Sequence, residues 1–182
     1  MNTLTDTPVL SDYAEAYRSL IMRSSLGQVE QASVWYLEAQ EVAEDVAEIM
    51  GTSLEVGASI VSAFSPRERW SSNVAKAYAF ANGKPVTGLS NNLNMAQRAT
   101  EIGFDALKGQ KTNAFARAIA GDTDAVVIDV WMCRAANIGT DSPNKGQYRE
   151  LSEAVRIVAE EFGITPRTAQ ALIWIVKRGS AE

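Results

Sequence analysis

Apolar residues recur along this chain at three- and four-residue intervals, and no stretch sustains apolar–polar alternation. That periodicity predicts an all-α protein. Ser11 stands before a first helix over about 11–24. Residues 29–50 set Val34, Leu37, Val42, Val46 and Ile49 on what reads as one face, and Gly51 follows as a stop. Residues 53–64 carry no charge after Glu55 and predict a central, buried helix. Ser65-Pro66-Arg67-Glu68 has the form of a capping box with proline at the first helical position, so a helix is expected from there to about Ala81. Asn82-Gly83-Lys84-Pro85 reads as a turn. Helices are expected over 90–107, ended near Gly109, and from Lys111 to Ala120 with Gly121 as the C-cap. Asp122, Thr123 and Asp124 offer N-caps for a helix over 124–137. Within it, Val126, Val127, Ile128 and Val130 favour a strand. A lone strand has no partner here, so a helix, or an extended entry into one, is expected. A polar loop from Asn137 to Gly146 leads to helices over 147–162, ended by Gly163, and from Thr165-Pro166 to Gly179.

No repeat, low-complexity tract or linker divides the 182 residues, a length that suits one compact helical domain. Three segments are distinguished within it: acidic N-terminal helices over 1–52, a core over 53–136 and C-terminal helices over 137–182. No apolar run approaches the roughly 20 residues of a membrane span, and the opening residues lack a basic stretch followed by an apolar one. A cytoplasmic protein without membrane contact is expected. Cys133 is the single cysteine and there is no histidine. An internal disulfide, Ser-His-Asp or Cys-His catalysis and histidine metal sites are thereby excluded, and no metal or cofactor is expected.

Charge is unevenly placed. The formal net charge is −5, yet residues 1–63 carry −8, residues 64–120 carry +5 and residues 121–182 carry −2. A basic middle segment in an acidic chain suits an anion-binding face, and equally a solvated surface.

Within that segment, Leu107-Lys108-Gly109-Gln110-Lys111-Thr112-Asn113 is followed by Val127-Ile128-Asp129-Val130-Trp131-Met132-Cys133-Arg134. This pair resembles the core signature of the helix–hairpin–helix DNA glycosylase superfamily, in which a glycine-containing hairpin ends in Lys-Thr and an aspartate comes about 18 residues after the lysine. Here Lys111 and Asp129 are 18 positions apart, and Arg134 follows. Ile60-Val61-Ser62-Ala63-Phe64 and Ser71-Ser72-Asn73-Val74-Ala75-Lys76-Ala77 are similar to the helix pair preceding that hairpin. Over most of the chain the pattern looks like a narrower group of small, mostly phage-encoded glycosylase-like proteins. Trp35-Tyr36-Leu37-Glu38-Ala39, Ser65-Pro66-Arg67-Glu68-Arg69-Trp70-Ser71-Ser72-Asn73, Lys111-Thr112-Asn113-Ala114-Phe115 and Gln170-Ala171-Leu172-Ile173-Trp174 carry that likeness. The chain departs from the superfamily in having one hairpin glycine, Gly109, and Trp131 where many members have histidine.

The resemblance implies a helix–hairpin–helix core and N-glycosylase-like chemistry that cleaves or exchanges the N-glycosidic bond of a natural or modified base, with DNA or a nucleotide as ligand. It casts Asp129 as the catalytic carboxylate, stabilising positive charge on the sugar or activating water. It casts Lys111 as an amine nucleophile or a phosphate contact. Gly109, Gln110, Thr112 and Arg134 come with the signature as nucleic-acid or ligand contacts. Arg67 and Arg69, with Lys76, read as phosphate contacts on one helix or as a solvated face. Trp35, Tyr36, Trp70, Trp131 and Trp174 could stack on a base, although Trp70 and Trp174 also suit a core. Asn73 and Gln170 could read a base edge, orient Asp129, or bridge helices. Cys133 reads as a small buried residue. Beside the enzyme stand two other readings: a non-catalytic nucleotide- or protein-binding module on the same fold, serving phage counter-defence, and a purely structural helical protein.

Overall fold

The computed structural model of the chain describes residues 9–179. Among them are nine α-helices, one 3-10 turn and no strand, packed as one domain. The helices are α1 (Leu10–Met22), α2 (Leu26–Met50), α3 (Leu54–Phe64), α4 (Trp70–Ala81), α5 (Ser90–Ile102), α6 (Gln110–Ile119), α7 (Val130–Ala135), α8 (Lys145–Phe162) and α9 (Pro166–Arg178). No single helix among the described residues is long and apolar enough to cross a membrane.

α3 is buried from Gly57 to Phe64, as its lack of charge implies, and packs against α2, α4, α5 and α6. α9 gathers α1, α7 and α8 in the same way. The long α2 joins the two groups by packing on both α3 and α9. The boundaries at 52 and 136 therefore do not mark separate layers, and the first eight and last three positions lie outside the described residues.

α2 buries a face shifted from the one its large apolar residues mark, with Val46 buried as expected and Val42 half-buried against the core. Val34, Leu37 and Ile49 are exposed, whereas Ala32, Tyr36, Ala39, Ala43 and Val46 are buried. The reason is close approach: a Cβ on Gly57 of α3 would lie 2.2 Å from the Ala43 carbonyl oxygen. Only alanines and a glycine let these two backbones come so near, so small residues form the seam.

Three local patterns resolve differently from expectation. Ser65 ends α3 instead of capping α4, Arg67 takes a positive φ of 64°, and α4 begins only at Trp70. Glu68 accepts from Ser72 and Lys76 rather than closing a capping box. Arg67 and Arg69 thus precede α4 and do not share a helix with Lys76. The helix expected over 90–107 stops at Ile102, where Gly103 adopts φ 52°, ψ −130°; a Cβ there would lie 2.3 Å from a Glu55 carboxylate oxygen. The following residues form the 3-10 turn Gly103–Ala106.

The third is the stretch over 125–129, which is irregular and reaches extended geometry at Asp129, and α7 starts at Val130. Its backbone is satisfied by side chains in place of a neighbouring strand. The Tyr148 hydroxyl donates to the Val126 carbonyl at 3.0 Å and accepts from the Ile128 N–H at 3.2 Å. Arg156 donates to the Asp124 carbonyl. Asp122 holds the Asp124 N–H, so neither aspartate caps a helix; Asp129 caps α7.

Candidate functional site

The cap at Asp129 is the starting point. Its backbone is extended, and one carboxylate oxygen accepts from the N–H groups of Trp131 and Met132 at 2.9 and 3.0 Å. The other accepts from the indole N–H of Trp174 on α9 at 2.9 Å. A carboxylate offers about four acceptor positions, so three fixed donors orient this one and leave capacity for another. α7 is pinned from behind, where the Tyr17 hydroxyl donates to the Met132 carbonyl at 3.2 Å.

Asp129 faces a cavity of about 260 Å³ that α2, α6, α7, α9 and the segment from Ser65 to Asn73 enclose. Aromatic rings form much of its wall. The Trp35 ring centroid lies 5.4 Å from that of Trp70, 5.8 Å from Trp174 and 5.9 Å from Phe115. Tyr36 meets Trp35 edge-on at 4.7 Å. Its buried hydroxyl donates to the Gln170 amide oxygen at 2.7 Å, and Arg167 lies over its ring. Burial, then the charge of Asp129, raises the Tyr36 hydroxyl above the usual tyrosine range, with Arg167 opposing. Tyr36 therefore stays a neutral donor at working pH.

Arg67, Arg69, Lys111 and Arg178 also line the cavity. None of Arg67, Arg69 or Lys111 has an ion-pair partner within 4 Å among the described residues. Arg178 lies over the Trp174 ring at 4.8 Å. The second acid at the wall, Glu68, is committed to Lys76 and Ser72, which hold its carboxyl below the usual carboxylate range. Ser65 and Asn73 complete the polar part of the wall.

Lys111, Asp129, Arg67, Arg69, Asn73, Trp35, Tyr36 and Trp131 are thus brought together. Trp70, Trp174 and Gln170 join them, so the two tryptophans are wall residues and not simple core. The remaining candidates lie elsewhere. Gly109 and Gln110 face a separate groove on the far side of α6. Gly109 has φ −78°, a conformation any residue adopts. Thr112 is buried, with its hydroxyl donating to the Gly109 carbonyl and its carbonyl accepting from Ser62. Arg134 makes a two-pronged pair with Asp141 and lies over the Trp131 ring at 5.2 Å. Cys133 is fully buried, and burial pushes its thiol up to about 11.

Ser65, Phe115 and Arg178 were not among the candidate site residues, nor was the bond from Trp174 to Asp129. Ser65 reads locally as a helix cap, which hides it. Trp174 and Asp129 are 45 positions apart, and no local spacing announces their contact.

Neither the curated proteins nor the solved structures offer a match. One family model does match, over residues 5–181, and its description is a family of unknown function, DUF7178. The chain belongs to that family.

Proposed function

We propose that the cavity receives a nucleobase and that the protein is an N-glycosylase-like enzyme acting on a natural or modified base in DNA. The observation that carries this reading is the convergence of Lys111 and Asp129 on one cavity walled by Trp35, Trp70 and Trp174. Flat aromatic walls suit an extruded base, and a volume of 260 Å³ is close to the lower end of the roughly 300–1,000 Å³ of small-ligand pockets. In the reaction the N-glycosidic bond breaks and the base leaves with its electron pair. Asp129 stabilises the positive charge left on the sugar and takes a proton from water as its oxygen bonds to C1′. The proton released balances the one the departing base acquires. Lys111 holds the adjoining phosphate. Such a protein works in the cytoplasm, that of the host cell for a phage-encoded member.

The test is mass spectrometry of small molecules released from DNA carrying natural and modified bases. Asp129→Asn is the control, because asparagine caps helices as well as aspartate does. A free base released only by the parent protein is the expected result. No release, with the DNA unchanged in mass, overturns the enzymatic reading.

A second reading has its own support. All three bonds to Asp129 serve structure, two capping α7 and one tying α9 to it. A non-catalytic nucleotide- or protein-binding module, of the kind used in phage counter-defence, needs no more than that. Nucleic-acid binding that weakens linearly in log K against log salt favours the enzyme; salt-independent binding of a protein partner favours the module.

A further inference from the structure

Two buried side-chain oxygens among the described residues have no hydrogen-bond partner, the Ser65 hydroxyl and the Asn73 amide oxygen. Both residues line the same aromatic cavity. Asn73 is 2 % exposed and sits in the first turn of α4, where its backbone N–H already bonds to the Arg69 carbonyl at 2.9 Å. The helix thus needs nothing from the amide. Other buried polar side chains are matched: Gln170 accepts from Tyr36, Ser62 donates to the Thr112 carbonyl, Ser59 to the Glu55 carbonyl and Asn92 to the Pro66 carbonyl. Leaving a buried acceptor unmet costs stability, so folded chains keep few of them. Two at one cavity, with none elsewhere among the described residues, single that cavity out.

Resting on the reading that this cavity takes a nucleobase, we infer that Asn73 and Ser65 read the base's hydrogen-bonding edge. An amide presents one acceptor and one donor side by side, which matches an N–H next to a ring acceptor on a base. The serine hydroxyl can donate or accept, and so adds a second point of reading. The tryptophan rings cover the faces of the heterocycle and the amide addresses its rim. An apolar ligand of the same shape leaves both oxygens unmet and is rejected. Arg67, Arg69 and Lys111 at the same wall suit the attached phosphate. The ligand class is therefore a nucleotide unit recognised through an N–H-bearing base edge.

The prediction separates a reading role from a structural one by sign. Asn73→Leu removes an unmet polar group, so the unliganded protein keeps or raises its thermal midpoint while nucleotide affinity falls. The four deoxynucleoside 5′-monophosphates, a short single-stranded oligodeoxynucleotide and deoxyribose 5-phosphate are titrated against the full chain, with tryptophan fluorescence as the signal. We expect at least one nucleotide to bind the parent, and Asn73→Leu to weaken it about tenfold or more with sugar-phosphate binding unchanged. Ser65→Ala, the milder substitution, weakens it several-fold and leaves the midpoint in place. Nucleotide affinity equal to the parent's in both variants overturns the inference, since the two oxygens then do not meet the base. A lowered midpoint for unliganded Asn73→Leu overturns it too, because Asn73 is then a structural residue. If neither the mononucleotides nor the oligonucleotide bind the parent, the nucleobase reading itself fails.

Discussion

α6 separates two concavities that differ in almost every respect except their shared helix. Lys111 and Phe115, one turn apart, face the aromatic cavity; Gln110, Asn113 and Arg117, on the opposite side of the helix, face a groove of about 580 Å³. The groove is the larger and the more open of the two. Several of its polar groups, however, are already bonded within the protein. Asn113 donates to the Phe104 and Leu107 carbonyls and accepts from Arg117, which also lies over the Phe104 ring. Tyr148 and Arg156 are engaged by the backbone of Asp124, Val126 and Ile128, and Ser152 donates to the Tyr148 carbonyl. The smaller cavity holds the unmet buried oxygens and the oriented carboxylate, whereas cations without an ion pair among the described residues line both concavities, Lys111 the cavity and Lys108 the groove. Unmet hydrogen-bonding capacity, and not volume, is what distinguishes a site from a gap between helices. Anion binding at the hairpin, the role that the Gly109 signature implies, would have to work among Asp105, Asp122 and Asp124.

The sharpest way to break this comparison is to truncate an asparagine on each side. Asn113→Ala removes three hydrogen bonds and leaves the Leu107 carbonyl without its side-chain donor, while the Phe104 carbonyl keeps the Leu107 N–H. The expected cost is about 1–2 kcal/mol of stability. Nucleotide affinity should stay that of the parent. Asn73→Leu should do the reverse on both counts. Chemical denaturation paired with the fluorescence titration reads both quantities. A loss of affinity in Asn113→Ala that matches the loss in Asn73→Leu would mean that the two concavities act as one surface.

A smaller effect is expected at the wall itself. Trp174→Phe keeps an aromatic face but deletes the N–H that bonds to Asp129. A hydrogen bond to a charged group contributes about 1.5–3 kcal/mol, and the freed carboxylate oxygen can recover part of that from solvent, so a loss of about 1.5 kcal/mol is expected. Base release should fall together with stability if the indole orients Asp129 for chemistry. Full activity in Trp174→Phe would show that the bond serves only to join α9 to α7.

What the chain's residues reveal in advance divides along similar lines. α9 was legible at both ends because its signals are local: Thr165 accepts from the Thr168 N–H, Pro166 opens the first turn, and Gly179 adopts φ 92°. Gly51 and Gly163 end their helices in the same way. Lys111 and Asp129 were legible as a pair through their spacing, although that spacing says nothing of the walls around them. The start of α4 was not legible, because Glu68 has two uses and the nearby Lys76 and Ser72 decide between them. Nor was most of the buried face of α2: Val46 is buried where periodicity puts it, but the closeness of two backbones favours alanine over Val34 and Leu37. The unmet oxygens of Ser65 and Asn73 lie furthest from local reading. A serine before proline and an asparagine in a first turn look like ordinary caps until their partners can be searched for.

Lys111 offers a weaker perturbation with a distinct signature. It has no ion-pair partner among the described residues, so Lys111→Ala is expected to change stability by no more than about 0.5 kcal/mol. If Lys111 contacts phosphate, oligonucleotide binding weakens and the slope of log K against log salt becomes shallower by about one unit. The equivalent change at Lys108, which faces the groove, should leave the slope alone. Equal effects at the two lysines would return the phosphate path to the loop before α6.

The smallest effect concerns the rear of the cavity wall. Cys133 lies one turn beyond Asp129, fully buried on α7. Burial first, then the charges of Asp129 and Asp141, push its thiol from 9.0 up to about 11. In the unfolded chain the thiol begins to lose its proton near pH 9, while in the folded chain it keeps it. The folded state therefore binds more protons across that interval, and stability falls as pH rises from about 9 toward 11. Below the unfolded value the shift has no effect. The first part of the interval belongs to the thiol, because tyrosines titrate only from about pH 10 upward. Denaturation of the parent and of Cys133→Ala between pH 8 and 10 should show a steeper decline in the parent than in the variant, which keeps only the later decline due to the tyrosines. A thiol reagent at pH 8 should leave the folded parent unmodified, with or without nucleotide. Rapid modification that nucleotide suppresses would instead mean that α7 opens into the cavity, and the wall behind Asp129 would then be a moving part of the site.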